Sequence, residues 1–153
     1  MKVGQIYTRC LAQCAYYIDS HGDAAATHPW REVQPYLYRA RPDKVKIKYV
    51  FETDFHADFV SGQVDLSNKT EAQVVYGPNA ICDFGCISAT NGEEFKIGFV
   101  TIKVLHTPGY TMESTTFLFR LPPKWPVAES KTAKKAEAIL LETDPKYRNF
   151  KAR

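Results

Sequence analysis

The sequence predicts an α/β domain, and three observations predict it. Short runs rich in β-branched and aromatic residues alternate with stretches whose apolar residues follow the helical period. No apolar stretch approaches the about 18 residues of a membrane helix, and there is no internal repeat. A chain of 153 residues with 44% hydrophobic and 13% aromatic content can bury one core, which excludes wholesale disorder.

Taken in order, residues 3–8 and 15–20 carry the strand signal. His21-Gly22 closes the second run as a turn, so that residues 24–27 pair back as a third strand. Residues 31–41 follow as a helix, with Val33, Tyr36, Leu37 and Ala40 on one apolar face. Pro35 is close enough to its start to be tolerated, and Pro42-Asp43 ends it. KIKYVFE, residues 46–52, is the clearest strand. A polar turn over 53–58 precedes a helix over 59–69, and residues 73–76 form a strand ended by Gly77-Pro78. Residues 79–92 read as loop, and three strands follow at 94–97, 100–105 and 114–119.

Beyond Phe119 the texture changes. Leu121-Pro122-Pro123 and Pro126 form a stiff connection. An Ala/Lys/Glu-rich helix over 128–142 then turns Ala133, Ala136, Ile139 and Leu140 inward. Charge follows the same boundary. Residues 122–153 hold eight Lys/Arg against four Asp/Glu, while the rest hold 12 against 13. The chain thus divides into a domain over 1–119 and a basic tail over 120–153. Lys131, Lys134 and Lys135 form a solvated helix face, with no basic motif or aromatic platform elsewhere, so no nucleic-acid partner is expected. MKVGQIYTRC has no signal-peptide core, which sets the expectation of a cytoplasmic protein.

Chemistry concentrates in two polar clusters that each leave a predicted strand. Thr53-Asp54-Phe55-His56-Ala57-Asp58-Phe59 follows KIKYVFE, and His106-Thr107-Pro108-Gly109-Tyr110-Thr111 follows VTIKVL. Ligands bind at the carboxyl ends of strands in α/β sheets. Asp54, His56 and Asp58 alternate along an extended turn and can converge with His106. Two imidazoles with one carboxylate suit Zn(II) or Fe(II).

FETDFHADFVSG followed by VLHTPGYTMES resembles the metallo-β-lactamase superfamily, whose signatures are T-H-x-H-x-D-H and H-T-x-G-H. The order CLAQ…YYI…REVQPY, VFET…HADFVSG, GEEFKIG…VTIKVLHTPG is similar to its persulfide dioxygenase and glyoxalase II branch over residues 1–119. The resemblance implies the N-terminal half of an αββα sandwich and a metal site drawn from Asp54, His56, Asp58 and His106. Thr107, Gly109 and Tyr110 would stand just behind these ligands. It also implies a small glutathione-derived partner.

The departures are specific. Asp54 stands at the first signature His, Phe59 at the last, Tyr110 at the second His of the second motif, and His28 at an acidic position. The family's later Gly-Asp turn, with its metal-ligating Asp, and its second sheet have no counterpart beyond residue 119. The expectation is therefore a truncated relative with a degraded site, little or no catalysis and weak or absent Fe(II) or Zn(II), with no confident catalytic residue. The alternative is an active mononuclear oxygenase or thioester hydrolase using Asp54, His56 and His106. An uncovered sheet face and 114–119 strand edge would drive self-association, unless the helix over 128–142 covers them or the chain is marginally stable. Cys10/Cys14 and Cys82/Cys86 read as reduced thiols rather than disulfides, and His28 as a packing residue.

Overall fold

Small residues set the centre of the main sheet: Ala24, Ala25 and Ala26 are all fully buried, leaving room for larger neighbours on both faces. The computed structural model describes residues 1–8 and 13–121. The expected linker and helix 128–142 therefore lie outside the described residues, as does Cys10. The strands β1 (Lys2–Thr8), β2 (Gln13–Ser20) and β3 (Asp23–Thr27) form an antiparallel meander. Strands β4 (Lys46–Phe51), β5 (Gln73–Tyr76) and β6 (Ile87–Ser88) then add in parallel, giving six strands in sequence order. The parallel pairs require crossovers, which α1 (Gln34–Ala40) and α2 (Gln63–Thr70) supply for β3–β4 and β4–β5, and the loop over 77–86 for β5–β6.

The last three strands, β7 (Glu94–Ile97), β8 (Val100–His106) and β9 (Thr115–Arg120), form a separate antiparallel sheet. The β7–β8 turn docks on the first sheet through polar contacts. Gly98 N donates to Asp23 Oδ2 at 3.0 Å, and Phe99 N to Ser20 Oγ at 3.3 Å. Gly98 has φ 52°, and a Cβ there would overlap the Ser20 carbonyl, so this turn needs glycine.

Each face of the six-stranded sheet has its own cover. Val50, Val74, Ile47 and Ala26 pack with Tyr36 of α1 and Leu66 of α2. On the opposite face, Phe51 meets Phe95, Phe117 and Phe119, with ring centroids 5.7, 4.7 and 6.4 Å apart. The uncovered apolar face expected from sequence is therefore not found among the described residues. Strands 94–97, 100–105 and 114–119 close into a sheet of their own, and that sheet lies on the face in question. Its outer side carries Glu94, Lys96, Thr101, Lys103 and Thr116 together with the half-buried Leu105 and Leu118.

Element boundaries move for local reasons. The second helix begins at Gln63 rather than 59, because residues 59–62 are held as loop. Gly62 N donates to Pro29 O at 2.8 Å, and a Cβ on Gly62 would overlap the Trp30 carbonyl. The first helix begins at Gln34, with Pro35 in its first turn. Cys82 and Cys86 correct a second expectation, since they form a disulfide. The 82–86 loop brings their Cα atoms to 6.4 Å, within bonding reach. Cys14 is a free thiol on β2. No helix among the described residues is long and apolar enough to cross a membrane.

Phe51 is fully buried where the two sheets meet. Phe51→Ala should cost about 3–5 kcal/mol. Chemical denaturation of the two proteins measures the difference, and a loss below about 1 kcal/mol would refute this inter-sheet contact as a main support of the fold.

Candidate metal centre

The site begins with strand register. β3 and β4 run parallel with Thr27 opposite Phe51, so the next residues, His28 and Glu52, emerge side by side at the carboxyl edge. Glu52 is held by its own N–H, which donates to Val75 O at 3.0 Å. His28 is held by two bonds: its N–H donates to Phe51 O at 3.1 Å, and Gln13 Nε2 donates to its carbonyl at 3.0 Å. Its φ is 46°, in the left-handed region that a non-glycine residue occupies only when its surroundings insist.

The loop after β4 brings the remaining members. His56 Nε2 lies 2.8 Å from His28 Nδ1 and 3.5 Å from Glu52 Oε2, while His28 Nδ1 lies 3.0 Å from the same oxygen. Ser61 Oγ donates to the other oxygen of Glu52 at 2.5 Å. Asp54 Oδ1 sits 3.5 Å from His56 Nδ1, and Thr53 Oγ1 donates to Asp54 Oδ2 at 2.7 Å. The Phe59 ring lies against the His56 imidazole, with centroids 4.2 Å apart.

Electrostatics follow from burial. Glu52 is completely buried, which alone would raise its pKa. Hydrogen bonds from His28, His56 and Ser61, with the charge of His28, outweigh burial and hold the carboxyl below its ordinary value. His56 is the mirror case. Burial lowers its pKa, but the Glu52 hydrogen bond and the charges of Glu52, Asp54 and Asp58 outweigh that and raise it.

Of the residues singled out in the sequence, the fold brings His56 and Asp54 to this point, keeps Asp58 near enough for its charge to act on His56, and leaves the others apart. Asp58 is exposed. His106, at the end of β8, places Nε2 2.9 Å from the Met112 carbonyl, and its N–H donates to Asn91 Oδ1 at 2.9 Å. Thr107 Oγ1 lies 3.1 Å from Thr116 Oγ1, while Gly109 and Tyr110 are exposed. Among the described residues, His28, Glu52 and His56 form the single group of three whose ligand atoms lie within 4.8 Å of one another. His28 thus corrects the packing-residue reading, and Glu52, in sequence only the end of a strand, joins it. Both sit directly after parallel strands, which is the signal that could have found them.

The architecture has close counterparts in solved structures. It superposes on a metallo-β-lactamase from Staphylococcus aureus with TM-score 0.71 and 30% identity, covering 78% of this chain and 38% of that one. ETHE1 from Myxococcus xanthus gives TM-score 0.72 and 26% identity, covering 78% and 54%. The chain carries the N-terminal half of the metallo-β-lactamase superfamily fold. Curated relatives agree: two hydroxyacylglutathione hydrolases of Rhodopseudomonas palustris, from strains BisB5 and BisB18, are 25% and 27% identical over 114 residues. Those matches take in 72% of this chain and 45% of each relative, so the chain spans under half their length. No family model matches the sequence.

The metallo-β-lactamase resemblance supplies a test of fit at the signature positions. Phe59 offers no ligand atom, Asp58 faces solvent, and His106 engages a backbone carbonyl. His56 is turned toward His28 and Glu52. Of the signature positions, His56 alone belongs to the group that includes His28 and Glu52, with Asp54 behind it.

The pKa shifts fix a pH dependence for the chelated, metal-free chain. Glu52 is depressed, so its contribution to stability is present above the unfolded value of 4.5 and lost as pH falls through the folded one. His56 is raised, so its contribution is full below 6.5 and lost as pH rises through the folded value. In EDTA, the Tm difference between the parent chain and His56→Gln should be widest between pH 4.5 and 6.5. It should narrow on both sides, and a difference independent of pH would refute the ion-pair reading.

Proposed function

We propose that this chain binds a glutathione-derived small molecule and performs little or no turnover at the signature position of the metallo-β-lactamase fold. The orientation of His56 carries this reading. The one signature imidazole retained in the first motif lies 2.8 Å from His28 and apart from His106, so the set that would activate water or dioxygen there is incomplete. The relatives named hydroxyacylglutathione hydrolase support a glutathione-linked ligand. A shallow cleft beside the His28–His56 pair supports it chemically. Trp30, Phe59 and Val60 supply apolar walls, Arg31 a guanidinium suited to a peptide carboxylate, and Glu32 and Asp58 carboxylates suited to the ligand's ammonium group.

A second reading rests on a different observation. Two imidazoles and one carboxylate still converge, the donor set of mononuclear Fe(II) oxygenases and of catalytic zinc sites. On that reading the chain is an active oxygenase or thioester hydrolase on glutathione-linked substrates.

One experiment separates them. Full-length chain supplied with Fe(II) or Zn(II) is assayed for oxygen consumption with glutathione persulfide and for hydrolysis of a hydroxyacylglutathione, with S-methylglutathione binding followed by calorimetry. The expected outcome is saturable binding with both rates at the level of buffer. Substrate-dependent turnover overturns the first reading in favour of the second, and absence of binding refutes the ligand assignment.

A further inference from the structure

We propose that His28, Glu52 and His56 form a mononuclear divalent-cation site of the zinc type, displaced from the superfamily's signature position, with Asp54 as its positioning residue. The inference does not depend on the ligand or turnover reading above, because it concerns only what the three side chains hold.

The argument starts from hydrogen-bond arithmetic. His28 Nδ1, His56 Nε2 and Glu52 Oε2 make a triangle with edges of 2.8, 3.0 and 3.5 Å. A ring nitrogen carries at most one proton, and a carboxylate accepts only. If His28 Nδ1 donates to Glu52, the same proton cannot also point squarely at His56. If His56 Nε2 donates to His28 instead, the bare His28 nitrogen faces the carboxylate oxygen at 3.0 Å, lone pair to lone pair. Each tautomer leaves one edge poorly satisfied inside a buried site, where such a deficit is costly.

A cation placed over the triangle satisfies all three atoms at once. Zinc bonds of about 2.0–2.2 Å arranged tetrahedrally space the ligand atoms by about 3.3–3.6 Å, so the 3.5 Å edge already fits and the 2.8 and 3.0 Å edges must open by about half an ångström. The donor chemistry agrees, since two imidazoles with one carboxylate is a zinc set that leaves a fourth position open.

The neighbours behave as partners of ligands. Asp54 Oδ1 lies 3.5 Å from His56 Nδ1 on the side of the ring away from the triangle. That placement favours the proton on Nδ1 and leaves the Nε2 lone pair free, the carboxylate–histidine arrangement that orients metal-binding imidazoles. Asp54 is itself fixed by Thr53. Ser61 occupies the second oxygen of Glu52, so Oε2 alone is presented to the triangle. His28 keeps a left-handed backbone to aim its ring here.

The test uses untagged full-length chain stripped with EDTA and dialysed. Titration with ZnCl2 by calorimetry should give one equivalent, and Co(II) should give the visible absorption of a four-coordinate centre. His28→Gln and Glu52→Gln should each abolish the saturable step. Asp54→Asn should weaken binding about 10–100-fold while leaving the stoichiometry unchanged. Circular dichroism of the stripped proteins controls for folding. Should a ligand variant not fold, the Asp54→Asn titration and the parent Co(II) spectrum decide. Less than a tenth of an equivalent of zinc in the parent chain would overturn the proposal, as would binding that survives His28→Gln and disappears in His106→Gln.

Discussion

A carboxylate with no access to water governs the functional edge of this molecule. Glu52 follows β4 directly and has no exposed surface, so its charge must be answered by nearby groups or its burial would cost several kcal/mol. The answer comes from three directions: His28 from the end of β3, His56 from the middle of the following loop, and Ser61 from just before α2. His56 and Ser61 are therefore turned inward, and residues 59–62 stay a loop instead of extending helix α2 toward its N-terminus. The same loop reaches the second sheet, where Thr115 N donates to Thr53 O at 2.9 Å and Phe55 N to Glu113 Oε1 at 3.3 Å. One buried charge thus gathers a strand end, a loop and a helix start, and the loop it gathers also bonds to the facing sheet.

The frame was legible in the sequence because its signals are local. Runs rich in β-branched and aromatic residues locate the strands of both sheets, Pro42 and Gly77-Pro78 mark where elements end, and His21-Gly22 marks the β2–β3 turn. Strand β6, only Ile87–Ser88, was read as loop because two residues carry no periodicity. The grouping of 94–97, 100–105 and 114–119 as a cover for the first sheet was missed for a different reason. Which strands pair is local, whereas which face they lie on is decided by Phe51 meeting Phe95 and Phe117 across the core.

The site was half legible. Periodicity and motif placed Asp54 and His56 on the right edge, yet the partner of His56 is set by the register of two parallel strands. Thr27 opposite Phe51 puts His28 against Glu52, and nothing within either segment encodes that pairing. The resemblance also drew attention to positions where the family keeps its ligands, and so away from His28, where this chain carries an imidazole in place of an acid. Asp54 and His28 are complementary departures: one imidazole is lost at the first signature position and one is gained on the neighbouring strand.

The Cys82–Cys86 bridge has a consequence for where such a chain can work. It closes a loop of very few residues, a sequence separation of 4, so its removal frees little unfolded-state entropy. The chain-entropy relation puts the effect at about 2 kcal/mol, against the about 5–15 kcal/mol typical of a folded domain. Neither cysteine belongs to the His28–Glu52–His56 group or to the aromatic contact between the sheets. Thiol reductants would then open the bridge at a cost of about 2 kcal/mol while removing no contact of the strand-edge site or of the aromatic seam between the sheets.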